Sequence, residues 1–182
     1  MPPLPSPPWL AAPLLVVPIT VQATQYLTVE QAQRILFPAA ERYAPLDVIL
    51  NAEQRAAIHA ASGKRVVSVR PRLWRAEAGA TVLGHVFVDQ VIGKHELITY
   101  ALGVSAGGQV TGVEILDYRE SHGDQVRLPR WRAQFLGKTT DDSIALGRDI
   151  QNISGATLSC RHLTDGVRRL LATREVILAT TP

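Results

Sequence analysis

Asp149-Ile150-Gln151-Asn152-Ile153-Ser154-Gly155-Ala156-Thr157-Leu158-Ser159-Cys160-Arg161-His162-Leu163 is a run of small and polar residues that turns into a helix. Gly155 has no side chain and Ala156 almost none, so the backbone there can turn sharply and a bulky group can come close. Leu163, Val167, Leu170 and Leu171 recur at helical spacing, which predicts a helix starting near Thr157 and ending near Ala172, with Ser154 or Thr157 as its capping residue. An anion held at that start would meet free backbone N–H groups and the positive end of the helix dipole, and Arg161, one turn on, would add a charge-assisted contact. A Ser/Thr-capped amphipathic helix behind a glycine turn accounts for the same four residues, Ser154 to Thr157, without any ligand.

Working outward, Thr28 followed by Glu30 and Gln31 reads as a helix start whose apolar face is Val29, Ala32, Ile35 and Leu36, ending at Pro38. A second helix runs from Asn51 through Ala61 and closes at Ser62-Gly63. From Val66 the period changes to alternation, which continues from Leu73 to Ala78 and reads as a strand broken at Pro71. Ala80 to Val91, Ile98 to Ser105 and Val110 to Tyr118 are strand-like, the last two joined by a Gly107-Gly108 turn as a hairpin. Leu128 to Leu136 reads as a short helix with Pro129 in its first turn, and Val176-Ile177-Leu178 as a terminal strand. Helices, then a meander of strands, then helices predict an α+β fold: an antiparallel sheet with N-terminal helices and a C-terminal helix after the Ser154–Thr157 run.

The order of these pieces resembles the FMN-binding domain family. The residues that carry the resemblance are the Val104-to-Leu116 hairpin, Glu120-Ser121-His122-Gly123 in the place of an E-T-P-G element, Trp131-Arg132-Ala133-Gln134-Phe135-Leu136-Gly137 as an aromatic-x-x-Gln-Phe-x-Gly ending, and Ser154-Gly155-Ala156-Thr157 as the S-G-A-T motif. The similarity covers roughly residues 80 to 172. It implies that the Thr157 hydroxyl is esterified to the phosphate of FMN, with Ser154, Gly155, Ala156, Leu158, Glu120, Ser121, His122 and Gly123 as further cofactor-binding positions. The chain departs from the pattern in two places. His122 replaces a rigid Pro, and Asn152 stands where the pattern is most often acidic, with Asp149 further upstream.

Other candidates are assigned plainer parts. Lys94-His95-Glu96 reads as an exposed turn, Trp131 as a residue packed on the sheet, and Cys160 as a small packing residue with no catalytic role. One cysteine cannot form an internal disulfide. No His/Cys/Asp/Glu set has metal-ligand spacing, and no nucleophile–base set is supported, so no metal and no catalytic residue are assigned. Arg127, Arg130 and Arg132 are near enough in sequence to Glu120–Gly123 to place positive charge by a flavin ring.

At 182 residues, with 46% hydrophobic and 19% charged residues, the chain suits one globular domain. A net charge of +3 without a dense basic run argues against nucleic acid as a partner. Residues 1–23 carry no charged side chain, are rich in proline and contain the apolar run Trp9 to Ile19 before Val21-Gln22-Ala23. They resemble a secretory signal peptide cleaved before Thr24, although the segment before Trp9 lacks the usual Lys or Arg; an uncleaved anchor and a misassigned start codon are the alternatives. The expected layout is a signal peptide at 1–23, a helical and first-strand region at 24–79 and the FMN-binding domain at 80–178.

A Thr hydroxyl with no general base beside it does not attack a phosphate unaided. The resemblance therefore implies a separate Mg-dependent flavin transferase that takes FAD as donor and releases AMP. It also implies an electron carrier similar to the peripheral flavin subunits of the Rnf and sodium-pumping NADH:quinone reductase complexes. Redox partner proteins, membrane-bound ones among them, and an exported location, periplasmic or membrane-associated on the extracytoplasmic side, go with that reading. A flavin-dependent reductase of a small acceptor and a redox-sensing domain are the competing functions.

Overall fold

Alternation along the strands builds a sheet with both faces covered. The computed structural model describes residues 24–120 and 123–180; the expected signal peptide and the pair Ser121-His122 lie outside them. Six antiparallel strands, β1 (Thr24–Gln25), β2 (Arg42–Leu46), β3 (Arg72–Ala78), β4 (Thr81–Ile92), β5 (Leu97–Ser105) and β6 (Val110–Tyr118), lie in the order β1-β6-β5-β4-β3-β2. On β4, Val86 and Val88 face one core while Phe87 and Val91 face the other; on β5, Ala101 opposes Tyr100 and Leu102 in the same way. The fold is α+β, as the sequence predicts.

One face is covered by α1 (Val29–Leu36), which starts in a full capping box between Thr28 and Gln31. Its end beds on glycines of three adjacent strands. A Cβ at Gly84 would overlap the Phe37 ring, and a Cβ at Gly112 would come within 2.8 Å of Leu36. Ala32 and Leu36 are buried there, while Ile35, expected on the apolar face, is exposed.

The other face is covered by α2 (Ala52–Ser62) and α4 (Thr157–Thr180), and here the expected terminal strand is corrected. Val176 to Leu178 continue α4, because Leu163, Val167, Leu170, Arg174 and Ile177 keep a helical period and all are buried. A contact with α2 holds the extension, Gln54 Nε2 donating to Thr180 Oγ1 at 2.9 Å, while Arg168 Nε to Ser62 O at 2.7 Å and the Lys64–Asp165 pair at 2.8 Å fix the middle of α4. Tertiary packing therefore overrides the strand propensity of the short β-branched run. Gly166 makes the close approach possible, since a Cβ there would overlap the Tyr100 hydroxyl of β5.

Residues 66–71 are also corrected. They alternate but do not join the sheet; Ser68 Oγ turns back on Arg70, Val67 is 68% exposed, and the strand begins only after Pro71. The sequence reading missed β2, an edge strand that carries Pro45, where a missing N–H costs no ladder bond.

Candidate functional site

The Ser154–Thr157 run forms the start of α4. Ala156 O accepts the first helical bond, from Cys160 N at 2.9 Å, so Ala156 occupies the cap position and Thr157 is the first helical residue. This corrects the expectation that Ser154 or Thr157 caps the helix. Gly155 turns the chain with φ +84°, a conformation that L side chains rarely adopt, and its side is open space. Among the described residues no side chain bonds the N–H groups of Thr157, Leu158 or Ser159, whereas α1 and α2 fill their own N-termini with capping boxes. Thr157 is half-buried, and its Oγ1 accepts a bond from Asn152 Nδ2 at 3.0 Å. The departure at Asn152 thus sits directly on the hydroxyl in question.

Three other segments hold this start in place. The turn after β6 lies against it: Gly123, at φ +83°, packs so closely that a Cβ would stand 3.4 Å from Ala156 and 2.9 Å from Tyr118 Oη. Tyr118, the last residue of β6, reaches under the first turn of α4, with Oη 3.3 Å from Ser159 Oγ. Burial pushes its phenol up.

Glu120 ties the β4–β5 turn to the same place. Its carboxylate accepts the backbone N–H groups of His95 and of Glu96, the latter at 2.8 Å. Burial acts to raise its pKa, but the N–H groups of Glu96, His95 and Lys94 outweigh that and hold it below the usual carboxylate value. The Lys94-His95-Glu96 side chains are exposed, as expected, while their backbone borders the site.

The third support is the Trp131–Gly137 segment, folded as α3 (Pro129–Arg132) and a 3-10 turn at Ala133–Phe135. Trp131 Nε1 donates to Gln151 O at 2.7 Å, and Gln151 N donates to Gln134 Oε1 at 2.7 Å, so both backbone groups of Gln151 are gripped. Trp131 is 3% exposed and meets Phe135 edge-on at 5.3 Å, the packing role expected of it. Asp149 organises the preceding loop. It pairs with Lys138 at 2.9 Å and accepts from Ser143 Oγ and from the N–H groups of Ile144 and Ala145. Burial alone would raise its pKa; these partners hold it far below the carboxylate range.

The arginines have separate fates. Arg132 pairs with Glu114 and donates to Val113 O at 2.5 Å, which commits it to β6. Arg127 stacks 3.4 Å over the Tyr26 ring, and Arg130 is exposed. Arg161 is exposed on α4, and its neighbour His162 places Nδ1 2.5 Å from Ile92 O, a contact the sequence reading missed. Cys160 is fully buried and burial pushes its thiol up, consistent with packing alone. Among the described residues no group of three His, Cys, Asp or Glu side chains could hold a metal ion.

The segments brought together here, the β4–β5 turn, the Glu120–Gly123 turn, the Trp131–Gly137 support and the start of α4, all lie within residues 93–172. That stretch, residues 93–172, matches the model of the FMN-binding domain family. The fold is similar to that in the crystal structure of Shewanella oneidensis NqrC, with a TM-score of 0.55 and 16% identity over 80% of this chain and 88% of that one. Comparison with curated proteins finds no match.

The residues at the α4 start fit a phosphate-bearing cofactor. The Thr157 hydroxyl lies beside three N–H groups without a helical acceptor, and open space flanks Gly155. Leu158, 40% exposed on the same turn, adds an apolar surface next to it.

Proposed function

We propose that Thr157 carries FMN through a phosphoester and that the chain is an extracytoplasmic electron carrier. The observation that carries this reading is the Thr157 hydroxyl on the one long helix whose first turn has no side-chain cap among the described residues. Attachment would proceed at an external transferase with Mg²⁺. The Thr157 oxygen attacks the FMN-side phosphorus of FAD, the new O–P bond replaces the pyrophosphate bond, AMP leaves, and the hydroxyl proton passes to a base of the transferase. Asn152 orients the hydroxyl during this step. The Leu158 and Ser159 N–H groups then hold the phosphate oxygens, and the Trp131–Gln134 grip on Gln151 keeps the loop still.

Once attached, FMN supplies one- and two-electron chemistry, and the protein sets its exposure and potential. Ser154, Gly155, Ala156, Leu158 and Gly123 line the attachment, with Ser121 and His122 next to them in sequence; Glu120 acts by fixing the hairpin turn. Residues 80–178 are the flavin-carrying unit, and residues 24–79 complete its sheet and its α2 support. Export rests on residues 1–23, and a covalent cofactor suits a compartment where free FMN is dilute. No helix of the described residues is long and apolar enough to cross a membrane. Redox partner proteins supply and take the electrons.

Co-expression with an Mg-dependent flavin transferase in an export-competent host tests the reading. The purified chain should fluoresce as a flavoprotein after denaturing electrophoresis, and Thr157→Ala should not. Equal fluorescence from both would refute attachment at Thr157.

A further inference from the structure

Beside the irregular segment 66–71 lies a cleft of about 240 Å³, separate from the Thr157 site. It forms where the sheet narrows. β3 begins at Arg72 opposite Val88, so Asp89 to Ile92 of β4 pair only with β5. The walls are mainly apolar, from Leu50, Val66, Pro71 and Leu170.

The most buried arginine in the wall is Arg169 of α4, which is 8% exposed. Its Nη2 donates to Asp89 Oδ2 at 2.5 Å, and Tyr100 Oη donates to the same oxygen at 3.2 Å. Asp89 is therefore already neutralised. Among the described residues the remaining Arg169 donors, Nε and Nη1, have no acceptor, and neither is sealed from solvent. Arg70, which pairs with Asp47 at 3.4 Å, and Arg72, which lies over the Trp74 ring, line the same cleft and add to its positive charge.

A guanidinium on a residue only 8% exposed, with two donors facing a cleft between apolar walls, presents a charge-assisted site for an anion that displaces the water there. A cavity of about 150 Å³ holds benzene, so this cleft has room for a ring and a carboxylate together. We propose that it is a second ligand site, for a small monocarboxylate with a compact apolar body. The carboxylate engages the Arg169 donors that Asp89 leaves free, and the body lies between Leu50, Val66 and Leu170. Arg169 is twelve residues along α4 from Thr157, about 18 Å at the helical rise, so the site is independent of flavin attachment.

Calorimetric titration of the full chain with sodium benzoate and sodium cyclohexanecarboxylate tests this, with benzyl alcohol and inorganic phosphate as comparison probes. Both carboxylates should saturate one site at least about tenfold more tightly than benzyl alcohol, and phosphate should not compete at equal concentration. Val66→Trp, which fills the cleft from a half-buried wall, should weaken benzoate by about tenfold or more. Should that variant fail to fold by circular dichroism, Ser68→Trp fills the same wall from an exposed position. Absent saturation, equal binding of benzyl alcohol, equal competition by phosphate, or parent-like binding in the folded Trp variant would each overturn the proposal. The titration is run on flavin-free and flavin-loaded chain, so its outcome does not depend on Thr157.

Discussion

The two ends of α4 handle charge in opposite ways. At its start, Thr157, Leu158 and Ser159 present N–H groups with no side-chain cap among the described residues. Towards its other end, Arg174 is 4% exposed, donates to Ala106 O at 2.5 Å and acts on His85, which burial and the charges of Arg174 and Arg75 keep neutral. Arg174 spends both Nη groups on internal partners, Glu175 and Ala106 O, although its Nε is buried without one, whereas no described side chain takes the N–H groups at the helix start. α1 and α2 reinforce the contrast, since Thr28 with Gln31 and Asn51 with Gln54 use up their first-turn donors. A helix start that no described side chain caps leaves its first-turn N–H groups to water or to an anionic ligand.

The largest expected effect probes the closed end. The unfolded imidazole of His85 takes up a proton as pH falls through 6.5, whereas folded His85 does so only at about 4. The contribution of His85 to stability is therefore flat above that window and falls as pH drops through it, by on the order of 3 kcal/mol. Urea midpoints measured against pH should show the slope, and His85→Gln should flatten it. A wild-type slope unchanged in His85→Gln would mean that His85 is not the group being held neutral.

Next in size, Gly123→Ala forces a Cβ onto Tyr118 and Ala156 at a positive φ, and should cost about 2 kcal/mol in chemical denaturation while lowering flavin loading. Ala156→Asp sharpens the contrast more directly, because it gives α4 the cap that α1 and α2 already have. Flavin loading should fall about tenfold as the carboxylate competes for the same N–H groups. Undiminished loading would break the link between the uncapped start and the phosphate. Smallest, Thr28→Ala should cost about 1 kcal/mol with flavin loading unchanged, since that cap serves only α1.

Local signals were legible in the sequence. The helix starts at Thr28 and at Asn51, the Gly107-Gly108 hairpin and Pro129 at a helix start all fell where residue chemistry puts them, Asn51 as the cap before Ala52. What failed was decided by distant partners. Residues 66–71 alternate like a strand but turn back on themselves at Ser68 and Arg70 instead of pairing with β4, Pro45 masks an edge strand, and α2 draws Val176 to Leu178 into α4. The site divides in the same way. Family resemblance supplied the order of the motifs, while the Gly123–Ala156 contact, the Trp131 and Gln134 grip on Gln151, and the Glu120 hold on the β4–β5 turn depend on long-range folding. Asn152, noted only as a departure, proved to be the hydrogen-bond partner of the Thr157 hydroxyl.

The most direct test is intact-mass analysis and peptide mapping of the chain purified after export alongside a flavin transferase. The expected result is a mass raised by FMN less one water, with the modified peptide containing Thr157 and with cleavage before Thr24 visible in the same spectrum. An unmodified mass for a folded chain exposed to active transferase, or a flavin mapped to any other residue, would contradict the assignment of Thr157.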